Sequence, residues 1–134
     1  SVPELGTVKA KHIPLVVLTS NNARELSDGL KRRCLHLFID FPSPADELVI
    51  IRLKVPEVPE KLARAVIAAV HKIRAMDLRK LPSVSESLDW ARSLVILNAQ
   101  ELSPEIVEST LTMLVKHEKD LERVKGALDK VLAE

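Results

Sequence analysis

Three times the chain spells the start of a helix, and those starts constrain its fold more than any other feature. Ser43 precedes Pro44, Ser103 precedes Pro104 and Glu105, and Ser83 stands three residues before Glu86. A serine N-cap accepts a hydrogen bond from an orphan backbone N–H, proline at the first helical position gives up a donor that has no partner anyway, and Ser-x-x-Glu closes a capping box. The spacing predicts one helix from Pro44 to about Lys54 and another from Ser83 to about Asn98. A third, from Pro104, carries Ile106, Val107, Leu111, Leu114 and Val115 on its apolar side. After Val55-Pro56-Glu57-Val58-Pro59, the recurrence of Leu62, Val66, Val70 and Ile73 predicts a further helix to about Met76. His71 beside that stripe reads as a satisfied or exposed helix histidine, with no partner at metal-binding spacing. In the last stretch, Glu118 to Glu134, Leu121, Val124, Leu128 and Val131 make an amphipathic stripe expected to pack on the bundle, a coiled-coil contact being the alternative.

Upstream of Ser43 the pattern changes period. Val16, Val17 and Leu18 form a short apolar run between Pro14 and Thr19-Ser20-Asn21-Asn22, the form of a buried strand and its carboxyl end. Leu35, Leu37, Ile39 and Phe41 alternate with His36, Phe38 and Asp40, the period of a second strand. Between them Ser27 or Asp28 caps a short helix that ends in Lys31-Arg32-Arg33. The segment before His12 reads as a surface hairpin arm. The expected fold class is therefore α+β, mainly α, with a strand-helix-strand portion over residues 1–43 and an all-helical subdomain over 44–134.

Composition narrows the function classes. With 46% hydrophobic and 29% charged residues the chain supports a core rather than disorder, and a net charge of +1 gives no general attraction to nucleic acid or an anionic membrane. The aromatics are Phe38, Phe41 and Trp90, too few for a base-stacking platform, so the core must be aliphatic. No apolar run approaches the roughly 20 residues that span a bilayer, and no signal-peptide pattern opens the chain, so a cytoplasmic location is expected. Cys34, the single cysteine, follows the basic turn; burial is expected for it rather than reactivity.

The run Val-Val-Leu-Thr-Ser-Asn-Asn-Ala-Arg-Glu-Leu followed by Leu-Lys-Arg-Arg-Cys resembles the sensor-1 strand and arginine-finger helix of AAA+ ATPases, closest to the MoxR-like branch. The resemblance implies the C-terminal end of an α/β nucleotide-binding base followed by a helical lid. It implies that Asn21 positions water or senses the γ-phosphate, since a carboxamide both donates and accepts; a turn cap is the alternative, and Asn22 fits that better. It implies that Arg33, with Arg32 in reserve, reaches a neighbour's γ-phosphate, whereas a basic last turn also simply suits the helix dipole. Where many such proteins place a sensor-2 arginine, this chain has Ser85, Glu86 and Ser87; Arg92, more than a turn later, reads as solvated or as a lid arginine near nucleotide.

ATP and magnesium are the implied cofactors. A homo-oligomer, a hexameric ring by resemblance, and a client, such as a von Willebrand factor A-type protein, are the implied partners. Three glycines, Gly6, Gly29 and Gly126, cannot build a phosphate-binding loop, so these residues are expected to be a portion of the machine without turnover of their own. The competing class is a helical DNA-binding or protein-interaction module without enzymatic activity. Its helices lack a face studded with base-reading Arg, Asn or Gln.

Overall fold

Each proline-marked start becomes a helix. The computed structural model describes residues 11–20 and 26–133, and the chain divides into two units, Ser1–Phe38 and Ile39–Glu134. In the first unit, α1 (Asp28–Lys31) begins one residue after Ser27 and carries Asp28 in its first turn and Lys31 in its last. The expected α/β base is corrected here. Among the described residues there is no strand, and the fold is helical. Neither the Val16–Leu18 run nor the Leu35–Phe41 alternation is paired. The side chains of Val16, Val17, Leu18, Leu35, Leu37 and Ile39 stand in solvent, Val17 at 76% and Leu37 at 84% exposure. Alternation records which residues would share a face, but a strand exists only where a neighbour accepts its backbone groups. The described residues supply no such neighbour.

The second unit is built on six further helices and a turn. Helix α2 spans Pro44–Lys54, α3 Glu60–Arg74, α4 Val84–Ile96 and α5 Pro104–Thr110; a 3₁₀ turn at Leu111–Met113 leads to α6 (Glu118–Lys125) and α7 (Leu128–Leu132). The caps are those expected. Ser43 Oγ accepts from the Asp46 N–H at 3.2 Å, Ser103 Oγ from the Ile106 N–H at 3.3 Å, and the Ser83 N–H donates to Glu86 at 2.8 Å in a closed capping box. Helix α4 ends in a Schellman motif. Asn98 takes φ 53°, its N–H donates to Val95 O and the Ala99 N–H donates to Leu94 O.

Helix α3 runs through the core, with Leu62, Val66, Val70 and Ile73 buried. Each such aliphatic side chain contributes about 1.5–3 kcal/mol on leaving water. Trp90 on α4 is fully buried, and its Nε1–H donates to Thr110 Oγ1 at 2.8 Å, so the one indole in the bundle brings its own partner. The C-terminal stripe packs on the bundle as expected, with Val124 and Val131 buried, but not as one helix. It breaks at Gly126, which leaves two short helices, each seating one valine. Among the described residues no helix is long and apolar enough to cross a membrane.

Candidate functional site

The residues singled out in the sequence do not gather in one place. Asn21 and Asn22 lie outside the described residues. Arg32 and Arg33 follow α1 directly and are exposed; the Arg33 N–H closes the last turn on Leu30 O at 3.0 Å, and its Nη1 lies 3.6 Å from where a Cβ on Gly29 would stand. The basic turn therefore presents its charge to solvent with the Arg33 side chain folded over Gly29. Cys34 beside it is exposed, contrary to the burial expected. A buried thiol needs an apolar surround, and the segment that was to supply one as a strand is unpaired.

Arg92 lies on α4 in the second unit. It is exposed and paired with Asp89 at 3.1 Å, one helical turn back. It borders an open groove of about 450 Å³ with Lys54, Val55, Pro56, Glu57, Val95 and Ile96, which joins the end of α2 to the last turns of α4. The positions standing where a sensor-2 arginine was sought are occupied by structural work: Glu86 closes the capping box, and Ser87 is buried in a polar cluster.

That cluster is the most elaborate polar arrangement among the described residues, and the sequence reading missed it. Glu47, on the first turn of α2, has no solvent exposure. Arg74, the last residue of α3, clasps its carboxylate with both forks, Nη1 to Oε2 at 2.6 Å and Nη2 to Oε1 at 2.9 Å. His71 Nε2 lies 3.0 Å from Oε2; an ionised carboxylate only accepts, so this nitrogen carries the hydrogen. Arg74 also donates from Nε to Pro82 O at 2.8 Å and from Nη2 to Ser87 Oγ at 3.3 Å, and its guanidinium carbon stands 4.4 Å from the centre of the Phe41 ring. Burial pushes the Glu47 carboxyl up, but the hydrogen bonds from Arg74, Ser87 and His71 and the Arg74 charge outweigh it and hold the group below its ordinary range.

A signal for the pair was present. Glu47 stands four residues before Ile51 and eight before Val55, on the buried stripe of α2, and Arg74 stands four after Val70 on that of α3. Two opposite charges occupying core positions on successive helices call for each other. A carboxylate without solvent contact and with both oxygens engaged cannot act on a substrate, so this cluster locks helices together. Asp120 works similarly, accepting the Arg79 and Lys80 backbone N–H groups at 3.0 and 3.2 Å, which ties the α3–α4 connection to α6. Among the described residues no group of His, Cys, Asp and Glu is placed to hold a metal ion. No protein-family model matches the chain, and no curated protein or solved structure does either.

Proposed function

We propose that the chain is a working portion of an AAA+ ATPase of the MoxR-like branch, coupling ATP binding and hydrolysis to the remodelling or maturation of a client protein. What carries the reading is order along the chain. A Thr19-Ser20-Asn21 cluster is followed by an exposed basic turn at Arg32-Arg33 and then by a helical unit that packs on its own core. In this reading Asn21 senses the γ-phosphate or positions water. Arg33, or Arg32, completes the site of a neighbouring subunit, where a guanidinium matches phosphate oxygens with two parallel bonds and keeps its charge. Arg92, at the groove rim, is the residue of the helical unit that faces nucleotide.

The chain's own groups suit the flanks of a phosphate site rather than its floor. They supply a carboxamide and guanidinium groups, whereas the amide-lined loop and the magnesium-holding carboxylate come from outside these 134 residues. ATP with magnesium supplies the bond that is broken. The partners are further copies in a ring, hexameric by resemblance, and a client, for which a von Willebrand factor A-type protein is the candidate; the location is cytoplasmic.

The test is ATP hydrolysis by the complete protein bearing this sequence. Arg33→Ala is expected to lower turnover by about 10³-fold or more, the scale of a lost arginine finger, with nucleotide binding intact, and Asn21→Ala to do the same in part. Unchanged turnover in Arg33→Ala removes the finger assignment; no hydrolysis by the unaltered complete protein removes the ATPase reading.

A further inference from the structure

We propose that Arg74 is a positioning residue that fastens Phe41 to the helical unit, so that the joint of the chain lies on the N-terminal side of Phe41 and not at Pro42-Ser43-Pro44. Arg74 is held from three directions, by Glu47 of α2, by Pro82 O in the α3–α4 connection and by Ser87 of α4. Its side chain is 6% exposed. A guanidinium fixed in this way cannot follow Phe41 if the ring moves, so the ring lying 4.4 Å from it is held to the bundle.

The residues after Phe41 are stiff for separate reasons. Pro42 and Pro44 have fixed φ, and Ser43 is engaged with Asp46 through both its accepting and its donating bond, at 3.2 and 2.6 Å. Residues 35–40 are exposed throughout, Ile39 at 82% against 41% for Phe41, and the Asp40 carboxylate accepts from the N–H of its own neighbour, Phe41, at 2.8 Å. The division of the chain between Phe38 and Ile39 agrees with this placement. A rotation of the helical unit then carries Phe41 with it and turns on Phe38–Asp40. On the ATPase reading, which this part of the inference rests on, the clamp passes movement of the helical unit along the chain without slack.

Backbone ¹⁵N relaxation on this chain tests the clamp. The Phe41 and Ser43 amides are expected to be as ordered as those of α3, with order parameters near 0.85, and the Phe41 amide to fall below about 0.6 in Phe41→Ala while Ser43, held by its own cap, and α3 are unchanged. Phe41→Trp restores order; Phe41→Leu, which keeps apolar bulk without the aromatic face, restores it only in part. An amide at 41 already mobile in the unaltered chain, or unmoved by Phe41→Ala, would overturn the proposal. In the complete protein, Phe41→Ala is expected to lower kcat by about 10-fold with KM for ATP unchanged and Phe41→Trp to recover it. Unchanged kcat with a loosened Phe41 backbone would retain the clamp and overturn its coupling role. A complete protein that hydrolyses no ATP sinks the functional reading alone, because the relaxation measurement still decides the clamp.

Discussion

Glu47 keeps a charge where there is no water, and the Arg74 guanidinium is what allows it. Because its carboxyl is held below the ordinary range, the folded state binds that proton more weakly than the unfolded chain does. The resulting stabilisation is complete above the unfolded pKa of about 4.3 and is lost as pH falls through the lower folded value. Urea unfolding followed by the fluorescence of Trp90, the single tryptophan, between pH 7 and pH 3 is expected to show stability falling with acid. Glu47→Gln should cost about 3–5 kcal/mol at pH 7, because it leaves a buried guanidinium without its counter-charge, and should flatten the acid slope. Glu86 and Asp120, also held low by hydrogen bonds that outweigh burial, keep part of that slope in the variant. A slope identical to that of the unaltered chain would mean that Glu47 is not among the groups that titrate with unfolding.

At the scale of elements, the helix ends carry specific chemistry. Asn98 is the one described non-glycine residue with positive φ, and it ends α4 by turning the chain back so that two N–H groups reach Leu94 and Val95. Asparagine tolerates this conformation and a β-branched residue does not. Asn98→Val is therefore expected to lose about 1–2 kcal/mol in urea unfolding, and Asn98→Gly to lose nothing. Equal stability of the two variants would show that the turn does not require left-handed backbone. The starts of α2, α4 and α5 were legible because a cap is written within four residues. The break at Gly126 was less so, since the Leu121–Val131 spacing runs through it and hides the stop. The apolar runs at Val16–Leu18 and Leu35–Phe41 misled for a different reason: periodicity is local and strand pairing is not. The Glu47–Arg74 pair falls between these cases, with each position readable on its own stripe but the partnership visible only across two helices.

Across the whole molecule, every buried apolar residue of the core cluster, from Ile51 to Val131, lies within Ile39–Glu134. Residues 39–134 should therefore fold alone, unfolding in a single cooperative transition seen equally by Trp90 fluorescence and far-ultraviolet circular dichroism. Their stability should lie within about 1 kcal/mol of that of the entire chain, because the described residues of the first unit add no buried apolar residue to the core and single contacts are worth about that much. Starting four residues further on, at Ser43, tests the same logic from the other side. That truncation keeps the α2 cap but removes Phe41, so Arg74 loses the aromatic face and stability should drop by about 0.5–2 kcal/mol while the fold persists. If residues 39–134 instead keep helical signal but lose near-ultraviolet signal and bind a hydrophobic dye, the bundle needs cover from elsewhere. The outward apolar residues of α2, Val49 and Leu53, exposed at 56% and 73%, would then be the first place to look for where that cover sits.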